Sequence, residues 1–317
     1  MKFRLSPRER ETTACTTLSV AGQTYHVEIV RSSTRPVHCP RLAIVAFQPN
    51  EAASGVLEVC LRTIKHFTPE PHELWVVDNN SPAKYSAWLR EWPELNVIFN
   101  HSEPTPEGVA AAQGQMAHGS YANAVGLELA TRAIEAKSQF LMTLHMDTMP
   151  CRTGWLSFLL SKMGGRTKAA GVRMDRARTA DGVLHVLGYI VDFRVFQSMG
   201  LDFLPQLPEY DVGDRVTVEL RRAGYEVFAC RNTLWEPQLA DAIRSDPFRK
   251  LHVDRSFDDE GNVIFLHLGR GVRRTTGLHT VGVDGREWIR FAENHLLLRD
   301  CDSHASLHRR VLQRLRQ

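Results

Sequence analysis

Two aspartates stand at the ends of short apolar runs. Asp78 follows Trp75-Val76-Val77, and Asp147 closes Leu144-His145-Met146-Asp147 after the apolar residues 140–144. A carboxylate carried on a strand end can hold Mg²⁺ or Mn²⁺, because such ions take one or two protein carboxylates and fill their other positions with phosphate oxygens and water. Taken singly, each aspartate is equally well explained as a turn or cap residue. A third group is His267, behind Ile264-Phe265-Leu266 and ahead of Leu268-Gly269-Arg270-Gly271. In a chain with 14 histidines, spacing alone makes it a packed core residue rather than a ligand. The fourth group is acidic, Glu209-Tyr210-Asp211-Val212-Gly213-Asp214. Asp214 stands where the following helix wants its N-cap. Asp211, one turn outside, is freer to act as a general base.

These residues need elements to carry them. Residues 42–47 form a continuous apolar run, as expected for a strand buried on both faces. Val56, Leu57, Cys60, Leu61, Ile64 and Phe67 then recur at helical spacing. Strands are predicted over 74–77, 96–99 and 140–144, with a helix around 84–91 and another over 120–136. Residues 102–119, rich in Pro, Gly, Ala and Gln, read as a long surface loop. Alternation of strands and helices argues for βαβ units and largely parallel pairing. Beyond Pro150 a helix over 154–162 leads to a strand over 169–172, which can pair antiparallel with one over 183–193. A late helix over 215–223 is closed by Gly224, and a strand over 225–230 follows. In ligand-binding sheets of this kind the ligand sits outside the carboxyl ends of the strands, where Asp78 and Asp147 fall.

Ahead of this pattern, residues 16–30 alternate around Gly22 and read as a hairpin. Residues 31–40 read as a connector. The chain from Glu287 on is predicted helical, with Leu307, Val311 and Leu315 four apart. This gives three segments: a hairpin extension (1–40), an α/β domain (41–284) and a helical basic tail (285–317).

Lysine and arginine total 39 against 36 aspartates and glutamates, too even a balance for nucleic acid as the partner. Arg309, Arg310, Arg314 and Arg316 concentrate positive charge in the tail. That tail reads as the solvated face of a terminal helix, with contact to an anionic membrane surface as the other reading. Six scattered cysteines, without a CxxC pair, exclude a structural zinc framework and fit a reducing cytoplasm. Residues 1–18 lack the apolar core of a signal peptide. No run reaches the roughly 18 apolar residues of a membrane span, so a cytoplasmic protein, at most peripheral to a membrane, is expected. The sequence contains no Walker A loop, no G-x-G-x-x-G after a strand, no G-x-S-x-G and no H-E-x-x-H.

Over residues 41–271 the order of motifs resembles the family 2 inverting glycosyltransferases. Val76-Val77-Asp78-Asn79-Asn80-Ser81 is similar to the family's strand-Asp-Asn-x-Ser signature. The stretch from Ala122-Asn123 to Ala130 resembles its Asn-containing helix. His145-Met146-Asp147 falls where the family carries its DxD motif, with His145 in place of the first acid, and Gly154-Trp155-Leu156 follows as it does there. Glu209 to Asp214, with the helix ending Ala223-Gly224-Tyr225, resembles the acidic motif, and a one-residue shift brings Asp211 into register. His267 before Gly-x-Gly resembles a late metal-binding histidine.

The resemblance implies a GT-A type, Rossmann-like α/β fold with a mixed central sheet flanked by helices. It implies a nucleoside diphosphate sugar as donor and an acceptor hydroxyl on a glycan, a lipid-linked molecule or a protein. Phe47, Asp78, Asn80, Asn123 and His145 would bind the nucleotide, and Asp147 and His267 a divalent metal, Mn²⁺ or Mg²⁺. Asp211 and Asp214 would be the catalytic acids, with Asp211 as base. Two rivals stay open. A nucleotidyltransferase needs a Gly-rich basic loop after the first strand, where this chain has Gln48-Pro49-Asn50-Glu51. A non-catalytic nucleotide-binding scaffold accommodates His145 and the irregular acidic motif.

Overall fold

The structure is a computed structural model that describes residues 12–105, 109–179 and 182–297. It opens on a hairpin, β1 (Thr12–Val20) and β2 (Gln23–Arg31). Ala21 and Gly22 turn it with φ of 51° and 80°, the left-handed pair that matches the twist of the flanking strands. β3 (Arg41–Ala46) leads into α1 (Glu51–Phe67), then β4 (Glu73–Asn79), the short α2 (Ala83–Ser86) and β5 (Leu95–Asn100). α3 (Val109–Ala133) crosses back to β6 (Phe140–His145), β7 (Thr148–Pro150) and α4 (Trp155–Ser161). β8 (Thr167–Arg173), β9 (Leu184–Asp192), α5 (Phe193–Ser198), α6 (Asp214–Arg222) and β10 (Glu226–Cys230) follow. The last elements are α7 (Asp246–Lys250), β11 (Asp254–Phe257), β12 (Val263–His267), α8 (Gly271–Thr275) and α9 (Gly285–Phe291).

Nine strands form one twisted sheet in the order β1-β2-β5-β4-β3-β6-β9-β8-β10. The centre, from β5 through β4 and β3 to β6, is parallel, and β9 reverses direction between β6 and β8. The expected mixed α/β sheet is therefore present. The hairpin is part of it, since β2 pairs antiparallel with β5. A second, three-stranded antiparallel sheet, β11-β12-β7, stands beside the carboxyl ends of β3 and β6.

Period-2 alternation decides what packs on each face. Leu42, Ile44 and Ala46 of β3 lie with Leu57, Cys60, Leu61 and Ile64 of α1 and with α4 in one core. Ala43 joins Ala124, Leu127 and Ala130 of α3 and the aromatic residues of α5 in the other. Each fully buried Leu or Ile on α1 contributes about 1.5–3 kcal/mol. A third core packs Val56 and Val59 of α1 against Trp288 and Phe291 of α9 and against the small sheet. Asn50 caps α1 by accepting from the Ala53 N–H, and its amide nitrogen donates to the Thr275 carbonyl. One side chain thus ties α1 to α8, which borders the site described below.

One expectation is corrected. Residues 102–119 read as a loop, yet α3 starts at Val109 and runs 25 residues. Gly114 and Gly119 look like breakers, but each costs only about 1 kcal/mol inside a helix, and the flanking alanines are the best helix formers. Burial of Ala124, Val125, Leu129 and Ala130 further along carries the turns before them. The tail residues Leu307, Val311, Leu315, Arg309, Arg310, Arg314 and Arg316, with Cys301, lie outside the described residues. Cys15, Cys39, Cys60, Cys151 and Cys230 are free thiols. Among the described residues no helix is long and apolar enough to cross a membrane.

Candidate metal centre and nucleotide cleft

β6 delivers His145 to its carboxyl end, and Asp147 follows two residues on, between β6 and β7. His267 arrives from the small sheet at the end of β12, paired with Thr148 of β7. Residues 122 positions apart in sequence thereby meet. His145 Nδ1 and His267 Nε2 are 3.4 Å apart. Asp147 Oδ1 is 3.5 Å from His267 Nε2 and 3.9 Å from His145 Nδ1. Three atoms so spaced share a point about 2.1 Å from each, the bond length of first-row divalent ions to nitrogen and oxygen ligands.

The remaining atom of each group is already engaged, which leaves the convergent atoms to face the shared point. His267 Nδ1 lies 3.2 Å from Asp254 Oδ2, so one ring proton is held there, the carboxylate–histidine arrangement that orients metal ligands, and an ion at Nε2 would take the place of the second. Asp254 stands opposite His267 in the β11–β12 pairing. Asp147 Oδ2 accepts the Gly271 N–H at 2.9 Å. His145 Nε2 is 3.2 Å from Asn123 Nδ2; an amide accepts the Nε2 proton only when turned to present its oxygen, an assignment of atoms that exchange by a simple flip.

The Gly271 contact needs a bare backbone. Gly269 and Arg270 both have positive φ (69° and 57°) and turn the chain so that α8 starts against Asp147. A Cβ on Gly271 would lie 2.7 Å from Asp147 Cβ and 2.8 Å from Oδ2.

The electrostatics favour a cation. Burial alone would raise the Asp147 carboxyl, but the His267 imidazole outweighs it, helped by the Gly271 N–H, and holds the group well below the usual carboxylate range. Burial alone would lower His267, but the carboxylates of Asp147 and Asp254 overcome it and hold a proton on the ring. The same field favours a divalent ion, for which that proton is the competitor. Desolvation, only partly offset by Asp147, pushes His145 down to about 4, so its ring is neutral near pH 7. Two imidazoles and one carboxylate with room beyond them match the donor set of open catalytic metal sites.

The triad opens into a cleft of about 820 Å³. Its walls carry Asn123, His145, Arg178, His185, Asp211 and Asp254, and Arg270, Arg273 and Arg274 line one side. Arg274 is spent on the carbonyls of Gly269, Val281 and Val283.

The other expected residues fall into two groups. Asn123, His145, His267 and Asp211 share the cleft, and Asp147 lies buried behind the two histidines. Phe47, 42% exposed, and the exposed Asn80, with φ of 59°, stand at the ends of β3 and β4 outside its lining. Asp78 is buried. It accepts from Gln48 Nε2 at 3.0 Å and from the Ser81 N–H at 3.3 Å, while Gln48 Oε1 accepts from the Trp88 indole. Its carboxylate thus braces the loops that carry Phe47 and Asn80.

Asp214 is not the N-cap of α6. That position is Gly213, with φ of 72°, where a Cβ would meet Val186 at 2.7 Å. Asp214 is the first helical residue. Its Oδ2 accepts from the Asp211 N–H at 2.9 Å, and its Oδ1 is buried without a partner. Asp211 forms an ion pair with Arg178 and accepts from the Val212 N–H.

Sequence reasoning missed Asp254, Arg178, His185 and Gly271. For Asp254 a signal existed: residues 254–257 and 263–267 flank Asp258-Asp259-Glu260-Gly261-Asn262, a hairpin turn that sets residue 254 against 267.

No family model matches the chain, and no curated protein matches it in sequence. Among solved structures it is similar to the galactosyltransferase LgtC in complex with donor and acceptor sugar analogues, at 12% identity and a TM-score of 0.46, over 80% of this chain and 96% of that one. It is similar to mouse xyloside xylosyltransferase 1 at 12% identity and a TM-score of 0.38, over 65% and 76%. A Drosophila β1,4-galactosyltransferase 7 mutant in complex with manganese, UDP-Gal and xylobiose gives 12% and 0.36, over 80% and 79%. At such identities and overlaps, function has to be argued from the side chains.

Proposed function

We propose that this chain is a metal-assisted glycosyltransferase that moves a sugar, a hexose in the simplest case, from a nucleoside diphosphate to an acceptor hydroxyl. One observation carries the reading: His145 Nδ1, Asp147 Oδ1 and His267 Nε2 converge at the carboxyl edge of the sheet, in a cleft whose rim carries Arg270 and Arg273. These three atoms would hold Mn²⁺ or Mg²⁺, which when bound offsets the charge that grows on a departing diphosphate. Arg270 and Arg273 draw the diphosphate to the same corner. Phe47, Asn80 and Asn123 border the nucleotide, and Asp78 positions the loops of Phe47 and Asn80 through Gln48 and Ser81. Asp211 is an acid in the cleft wall that neither the triad nor its supports consume. We assign it the acceptor proton, with attack from the face opposite the diphosphate and inversion at the anomeric carbon, as in the family 2 resemblance. It takes that role once Arg178 turns from it to the diphosphate. Asp214 supports it through the hydrogen bond to its backbone.

The Arg178–Asp211 ion pair favours a second reading, a nucleotide-binding protein that does not transfer. A panel of UDP-, GDP- and CDP-sugars, each with and without Mn²⁺, separates the two. Metal-dependent hydrolysis of at least one donor is expected. Metal-enhanced binding without turnover selects the second reading, and binding that ignores the metal removes both.

A further inference from the structure

His185 belongs to no role described so far. It lies on β9, lines the cleft, and its ring centroid is 5.2 Å from that of His145 and 6.0 Å from that of His267. Three imidazoles therefore surround the same corner, and the third looks at first like a further metal ligand. Its hydrogen bonding excludes this. The Leu187 N–H donates to His185 Nδ1 at 3.0 Å, and an atom that accepts a hydrogen bond carries no proton. A neutral imidazole has one N–H, so that proton sits on Nε2. Nε2 then has no lone pair for an ion, but it has a hydrogen to donate. Nδ1 and Nε2 flank Cε1, and their in-plane bonding directions diverge. With Nδ1 bonded back to its own strand and the residue lining the cleft, Nε2–H is the donor left over, without a hydrogen-bond partner among the described residues.

We propose that His185 is a diphosphate-positioning residue: its Nε2–H donates to a phosphate oxygen held by the ion at His145, Asp147 and His267. This rests on the metal–diphosphate reading above and adds the group that orients the diphosphate. Fixed by a main-chain N–H on a sheet strand, the donor needs no reorganisation when an anion arrives. The backbone bond also sets it apart from His145 and His267, whose inner-facing atoms converge with Asp147 Oδ1.

The two ring nitrogens can be tested separately. Asn places its side-chain oxygen where Nδ1 is, so His185→Asn keeps the acceptor for Leu187 and removes the Nε2 donor. Gln reaches the Nε2 position, so His185→Gln keeps a donor in the cleft. Titration calorimetry would measure Mn²⁺ alone, and then inorganic pyrophosphate at saturating Mn²⁺, on the full chain. For His185→Asn, Mn²⁺ affinity within twofold of wild type and pyrophosphate affinity about 10-fold lower or worse are expected, the scale of a lost hydrogen bond to a charged group. His185→Gln should keep pyrophosphate within about threefold. The proposal is overturned if His185→Asn binds pyrophosphate as wild type does, or if it loses Mn²⁺ itself, which would make His185 a ligand. Failure of the underlying reading looks different: wild type would then bind pyrophosphate no better with Mn²⁺ than without it.

Discussion

Two carboxylate centres, at the cleft wall and buried behind it, differ in how their atoms are used. At Asp147, one oxygen is fixed by the Gly271 backbone and the other points at two imidazole nitrogens. At Asp211 and Asp214 the acids are tied to main chain and to Arg178, and Asp214 leaves one oxygen buried without a hydrogen-bond partner. The first arrangement gathers three donor atoms at one point. The second disperses them. An acidic cluster becomes a cation site when its supports occupy the far atoms and spare the near ones, and counting acids does not reveal which case applies.

The largest effect that would break this contrast is at Asp147. Asp147→Ala should reduce Mn²⁺ affinity by more than about 100-fold, since a ligand and the charge that binds the cation go together, and calorimetry with Mn²⁺ alone measures it. Retained affinity would move the site elsewhere. Asp211→Asn should leave Mn²⁺ affinity within twofold yet slow transfer to an acceptor by about 10²–10⁴, the usual share of a general base. Unchanged turnover in that variant would hand the base role to another group. Asp254→Asn sharpens the comparison, because it touches no ion and acts through His267. A loss of about 10–100-fold in metal affinity is expected from removing such a supporting carboxylate.

The smallest effect is on stability. Burial, opposed by Arg178, pushes the Asp214 carboxyl up to about 6 from its ordinary 3.8. A group whose folded pKa is raised contributes stability that is fully present below the unfolded value and is lost as pH rises through the folded one. Wild type should therefore lose about 1–2 kcal/mol from this group between pH 4 and 7. Asp214→Asn, which stays neutral and keeps the acceptor for the Asp211 N–H, should not. The difference in Tm between the two proteins across that pH range checks it, and parallel curves would assign the buried oxygen a partner.

Much of the frame was legible because the signals are local. The apolar runs at β3, β4 and β6 are buried on both faces, and α1 shows its helical spacing in plain letters. The start of α3 was not, since its glycines resemble a loop and the packing that sustains the helix lies a dozen residues further on. Asp214 as N-cap failed for a related reason. Sequence offers the acid as the obvious cap, while contact with Val186 and Phe203 reserves the position for Gly213.

By itself the sequence determined which strands end in Asp78, Asp147 and His267, because alternation and apolar runs are properties of neighbouring residues. The tertiary structure decided which of those ends meet. Pairing of β12 with β7 brings His267 to Asp147, and the register of β11 sets Asp254 behind it. The same folding buries Asp78 among Gln48, Ser81 and Trp88. A side chain's chemistry depends on which of its atoms remain unpaired, and that depends on partners far away along the chain.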